Sequence, residues 1–170
     1  CLRGFIAGIA APVALIGGAE KGNLSVQLPV KAAGGQGAIP PPATAIGVLS
    51  RARERLDRAP FPARLQGPTR WMLEFLGAEM AWSKKLPLAN LWLFEPLVVR
   101  RLSSSPLTNA LLRTTPAPTL FHACVTENIL PTEARAVVNL RVMPGETTAG
   151  ALAELRRAVG DPATEEDEFR

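Results

Sequence analysis

TLFHACVTENILPTEARAVVNLRVMPGETTAGALAELRRAVG, residues 119–160, decides the fold. It reads as strand, strand, helix. TLFHACVT (119–126) is the first strand, ENILPTE (127–133) the connection, and EARAVVNLRVM (133–143) the second strand. In that second strand Val138, Leu140 and Val142 share one face, and Val137, Asn139, Arg141 and Met143 the other, because successive strand side chains alternate. Pro144-Gly145 turns the chain into a helix capped by Thr147 or Thr148. Leu152, Leu155 and Val159 form its buried stripe, and Gly160 stops it.

Upstream, Glu20–Val30 is a strand of the same kind. Leu24, Val26, Leu28 and Val30 alternate with Ser25, Gln27, Pro29 and Lys31. Pro29 has no N–H and so belongs at an edge or an unpaired position. AAGGQGAIPPP (32–42) is a turn-rich loop. A helix follows, capped by Thr44, with a stripe of Ile46, Leu49, Ala52 and Leu56 and with Arg53/Asp57 and Glu54/Arg58 as i,i+4 pairs; Ala59-Pro60 ends it. The order strand, helix, strand, strand, helix predicts an α+β, ferredoxin-like β-α-β-β-α domain, an antiparallel sheet with helices on one face. Its last strand is expected to be missing, since the acidic TEEDEFR is a poor strand, and the first strand then becomes an edge that tolerates Pro29.

Residues 60–117 have a different texture and are expected to be a helical insert. WMLEFLGAEMAW (71–82) puts Trp71, Phe75 and Ala78 on one helical face with Met72, Leu76 and Met80 alongside. LWLFEPLVVRRL (91–102) is a second apolar segment, interrupted at Pro96. Core packing or a partner contact is the expected use of these side chains. The domain organisation expected is a segment 1–19 from a neighbouring domain, the domain proper over 20–160, and an acidic tail over 161–170. GFIAGIAAPVALIGG (4–18) follows Arg3 without a charge, like a signal-peptide core, but a buried strand PVALIG is the reading favoured by Pro12 and the glycines. The compartment stays open.

Composition limits the chemistry. The 170 residues are 47% apolar and 20% charged, enough to bury one real core. There is one histidine, His122, and two cysteines, Cys1 and Cys124. A zinc site takes three or four protein ligands at characteristic spacings, and these three residues cannot supply a motif of that type. His122 is expected to be structural or partly exposed, in phase with Leu120 and Cys124, and Cys124 to be buried. The net charge of +4 hides a division: five acids against Arg170 give residues 161–170 a charge of −4, leaving +8 on the rest. Arg outnumbers Lys 15 to 4, but the cations are scattered, with no basic run longer than two, so nucleic acid is not the expected partner.

AEKGNLSVQLPVKAAGGQGAIPPP (19–42) and ENILPTEARAVVNLRVMPGET (127–147) together resemble the lid, or dimerisation, domain of the carboxypeptidase S and aminoacylase family of zinc metallopeptidases. LWLFEPLVVRRLSSSPLTNALLRTTPAPTLF (91–121) is similar to the insert of one branch, which holds Gly-Xaa carboxypeptidase and the N-fatty-acyl-amino-acid synthase/hydrolases. The resemblance implies a two-domain parent enzyme that cleaves peptide or N-acyl-amino-acid amide bonds beside a free carboxylate. Its zinc is bound in a catalytic domain outside this chain, and it is expected to form a homodimer through the lid. It further implies that Asn128 and Arg141 bind the substrate carboxylate and the nearby carbonyl. The chemistry suits them: a guanidinium is a planar fork for a carboxylate, and an amide is a neutral donor. Where the family has Gly-Gly-His-Ser, with a histidine that helps stabilise the oxyanion, this chain has Gly34-Gly35-Gln36-Gly37. Gln36 can still donate a hydrogen bond but carries no charge. The alternative expectation is a non-catalytic dimerisation module derived from that family.

Overall fold

The computed structural model describes residues 14, 16–123 and 126–160, and the backbone of 167–169. The described chain divides into two compact units. One takes the segment up to Lys21, Pro62–Arg113 and Met143–Gly145; the other takes Gly22–Phe61, Thr114–Val142 and the residues from Glu146 on.

The second unit is the α+β domain. Strand β1 (Gly22–Lys31) pairs antiparallel with β5 (Glu133–Val142) in a register running from Gly22 opposite Val142 to Lys31 opposite Glu133. Strand β3 (Thr115–His122) adds to the other side of β5, and β6 (Asp167–Phe169) pairs with Ser25–Gln27 of β1, giving the order β3-β5-β1-β6. The ferredoxin-like expectation holds, with one correction. The last strand is present as a three-residue stub on the outer side of β1. Backbone pairing does not require apolar side chains, and the acidic composition of the tail hid it.

The prolines report the sheet's hydrogen-bond phase. A proline fits an antiparallel ladder only where its nitrogen points away from the partner. Pro29 lies opposite Arg135, while Pro116 and Pro118 lie opposite Leu140 and Val138. All three positions agree if odd-numbered residues of β5 bond to β3 and even-numbered ones to β1. Pro29 lies beyond the three positions that β6 pairs, so no donor is lost there. Pro116 and Pro118 turn their missing donors to the free edge of β3. The strand therefore starts at Thr115, before the expected Thr119, and a register shift between Pro118 and Leu120 absorbs the irregularity. It ends at His122, which is exposed; Cys124 lies outside the described residues.

Helices α1 (Ala45–Arg58) and α6 (Thr148–Val159) cover one face of this sheet. Thr44 accepts a hydrogen bond from Gly47 N–H and Thr147 one from Gly150 N–H, both at 3.1 Å, which fixes the two helix starts. Gly160 adopts φ 58° and ends α6 in a left-handed cap. The core joins Leu24, Val26, Leu28 and Val30 of β1 to Ala136, Val138 and Leu140 of β5 and to Leu49, Leu56 and Leu155 of the helices. The buried stripe of α1 is Ala45, Val48, Leu49, Ala52 and Leu56; Ile46, expected inside, is 46% exposed. The expected pairs Arg53–Asp57 and Arg58–Glu54 form at 3.0 and 2.7 Å.

The first unit contains α2 (Gly67–Glu79), α3 (Trp82–Ala89), α4 (Leu91–Ser103) and α5 (Pro106–Ala110). Leu65, Leu73, Leu88, Leu91, Val98 and Leu112 are its core. Arg64 N–H donates to Leu112 O at 2.7 Å and ties its ends together. Helix α4 runs through Pro96 instead of breaking there. Proline removes one donor, and the packed Leu91 and Val98 on either side hold the flanking turns. The strand expected over Pro12–Gly17 falls largely outside the described residues, and Ala14, Ile16 and Gly17 are exposed, without strand structure.

Candidate functional site

The β1–β5 ladder does not stop at Lys31 and Glu133. Ala32 N–H donates to Thr132 O at 2.9 Å, and a two-stranded ribbon continues the pairing. In it β2 (Gly35–Gln36) lies antiparallel to β4 (Ile129–Leu130), with Gln36 opposite Ile129. Gly37 N–H then donates to Asn128 O at 3.0 Å. Gly34 is the tight point of the ribbon. A Cβ there would lie 2.7 Å from Thr132 Cγ2 and 3.2 Å from Leu130 O, so no larger residue fits without moving the strand. Gly37 has no such constraint, since a Cβ would meet Asn128 O at 3.6 Å and a serine would fit. The ribbon brings Gln36 and Asn128 to one tip, both exposed.

Arg141 lies at the opposite end of the ladder. It faces Asn23 of β1 on one side and Thr115 of β3 on the other, and its exposed side chain makes no hydrogen bond or ion pair with another described residue. Thirteen positions separate Asn128 from Arg141. Eight of those positions, Glu133 to Arg141, run within the single strand β5 and alone extend about 26 Å. Gln36 and Asn128 are therefore brought together, and Arg141 is not joined to them within one chain.

Around Arg141 the outward sheet face carries a polar cluster that sequence reasoning left unassigned. Asn139 Nδ2 donates to Asn23 Oδ1 at 2.6 Å and to Ser25 Oγ at 3.1 Å. The signal was available: Asn23, Ser25, Asn139 and Arg141 all occupy outward positions of two strands. Only the register, Asn23 opposite Arg141 and Ser25 opposite Asn139, makes them neighbours.

Among the described residues no three His, Cys, Asp or Glu come together in a way that could hold a metal ion. The described part of the chain thus offers no cradle for zinc, and no chemical step is assigned to a metal held by it.

An antiparallel sheet in the order β3-β5-β1-β6, helices on one face and a donor-bearing ribbon at one end define a lid-type α+β domain. The chain belongs to the peptidase dimerisation domain family, whose model matches residues 18–167. It is 39% identical over 161 residues to the N-fatty-acyl-amino acid synthase/hydrolase PM20D1 of Mus musculus, covering 94% of this chain and 32% of that protein. It is 38% identical over 154 residues to the probable carboxypeptidase S-like 2 of Dictyostelium discoideum, covering 91% and 30%. The chain thus spans about a third of the length of the curated relatives it matches. Among solved structures, the M20 family metallo-carboxypeptidase Sso-CP2 of Sulfolobus solfataricus superposes with a TM-score of 0.51 at 15% identity, covering 88% of this chain and 43% of that one, which supports the fold alone.

Proposed function

We propose that this chain is the lid and dimerisation segment of a zinc-dependent metallohydrolase that cleaves peptide or N-acyl-amino-acid amide bonds beside a free carboxylate. Zinc is assigned to a catalytic domain outside this chain. Arg141 takes the substrate carboxylate through its planar fork, Asn128 donates its amide to the adjacent carbonyl oxygen, and Gln36 supplies a neutral donor towards the oxygen that becomes negative during attack.

The observation that carries this reading furthest is the separation of Arg141 from the ribbon tip. Donors at the two ends of one ladder cannot grip one small substrate. A site that uses all three draws Arg141 from one copy and Gln36 with Asn128 from a second, related by a twofold axis. The homodimer expected of the family is then a requirement of the chemistry. A second reading, a dimerisation module that catalyses nothing, is favoured by Gln36, which cannot stabilise an oxyanion with charge.

Replacing Arg141 in the parent enzyme tests the carboxylate role. A hydrogen bond to a charged group contributes about 1.5–3 kcal/mol. Arg141→Ala is therefore expected to raise KM for free-acid substrates by about 10- to 150-fold and to leave the corresponding amides unaffected. Equal losses on acid and amide would overturn it. Turnover of an N-acyl amino acid by the purified chain with zinc or cobalt, above the metal blank, would contradict the non-catalytic reading.

A further inference from the structure

The outward face of the β1–β5 ladder carries one further donor beside Arg141. Asn23 stands directly opposite Arg141. Opposed side chains of an antiparallel pair leave the sheet on the same face, with Cβ atoms about 5 Å apart. Both residues are exposed. Their face is turned away from the core, which takes Leu24, Val26, Val138 and Leu140.

The Asn23 amide is held in one orientation. Asn139 Nδ2 donates to Asn23 Oδ1 at 2.6 Å and to Ser25 Oγ at 3.1 Å. Both hydrogens of the Asn139 amide are spent in this way, and Asn23 Oδ1 is engaged. The oxygen and nitrogen of an amide leave its carbon on opposite sides. Oδ1 turned to the Ser25–Asn139 rung therefore sets Nδ2 away from that rung, on the Arg141 side. Among the described residues neither Asn23 Nδ2 nor the Arg141 guanidinium has a hydrogen-bond partner. Two neighbouring groups thus present donors and no acceptor. A carboxylate offers about four lone-pair sites, of which a guanidinium fork fills two. An amide donor beside the fork fills a third. The same donor opposes a carboxamide, which would set its own NH2 against it.

We infer that Asn23 is a second donor to the carboxylate that Arg141 takes, and that Asn139 is the residue that positions it. The inference rests on the role proposed for Arg141. Asn23 sharpens the choice of acid over amide at that site.

Steady-state kinetics of the parent enzyme on an N-acyl amino acid and on its carboxamide test this. Asn23→Ala removes one hydrogen bond to a charged group and is expected to raise KM for the acid about tenfold, with kcat and the amide little changed. Asn23→Asp, nearly the same size, turns a carboxylate oxygen to the site. It should raise KM for the acid further, and not that for the amide. Asn139→Ala frees the Asn23 amide to rotate and should raise KM for the acid severalfold, yet add nothing in the Asn23→Ala background. A merely structural Asn139 would add its loss in both backgrounds. An unchanged acid KM in Asn23→Ala, beside an Arg141→Ala variant that raises it, would overturn the inference and leave the Arg141 role standing. Equal losses on acid and amide in Arg141→Ala would remove both. Additive losses from Asn23→Ala and Asn139→Ala would overturn the positioning by Asn139.

Discussion

Gln36 brings two amide donors and no charge to the ribbon tip, beside Asn128. Removing one preorganised donor from an oxyanion site typically costs about 10²–10³ in rate, and much of that benefit is electrostatic. In the catalytic reading Gln36→His in the parent enzyme should raise kcat at least about tenfold with little change in KM, since the gain falls on the transition state. Steady-state kinetics of the pair checks this; an unchanged kcat would remove Gln36 from the chemistry. The roles proposed for Arg141, Asn128 and Gln36 come from the family resemblance, and side-chain chemistry only shows that a fork suits a carboxylate and an amide suits an oxygen. The arrangement of the three was not legible in the sequence. Strands of two residues inside AAGGQGAIPPP and ENILPTE give no alternation to read, so the ribbon that joins Gln36 to Asn128, and separates both from Arg141, emerges only from backbone pairing.

Helix α2 shows why apolar periodicity names a face without saying where it points. Trp71, Phe75 and Ala78 form the stripe expected to pack in the core or meet a partner; all three are exposed, and Leu73 with Gly77 faces the core instead. Gly77 decides this. Its missing side chain lets Leu88 of α3 approach until an added Cβ would lie 2.8 Å from Leu88 Cβ. That atom is fixed to the backbone of α3, so the helices must separate to admit a methyl group. Gly77→Ala is expected to destabilise the helical unit by about 1–3 kcal/mol, despite alanine's better helix propensity. Hydrogen exchange should show faster opening of α2 and α3 and unchanged protection of β1 and β5; equal or improved protection of α2 would contradict the packing account. The other elements were more legible where two local signals agreed. Thr44 with Ala59-Pro60, and Thr147 with Gly160, bracket α1 and α6 closely. The inward residues of β1 and β5 alternate as read, although Gln27, at 8% exposure, and Pro29, both on the outward face, are also buried. Acidic β6 carried no such signal, since three residues can pair through backbone alone.

At the scale of the molecule, one β ladder spaces two sets of donors at a separation no single small substrate bridges. In the proposed dimer, a twofold axis would set the Arg141 end of one copy beside the ribbon tip of the other and produce two identical shared sites. The geometry makes a prediction that a site confined to one chain does not share. An Arg141→Ala parent enzyme and an Asn128→Ala parent enzyme should each be weak alone. In a mixed dimer, one site receives both alanines, while the other receives Arg141 from the Asn128→Ala subunit and Asn128 from the Arg141→Ala subunit, and is intact. Random exchange of equal amounts makes about half the dimers mixed, each with one working site, so activity should recover to about a quarter of wild type. The assay is to unfold, mix and refold the two variants together, with each variant refolded alone as control. Recovery requires subunit exchange and a shared site. Activity that stays at the average of the two variants, in a preparation where mixed dimers are demonstrated by differently tagged subunits, would overturn the shared site.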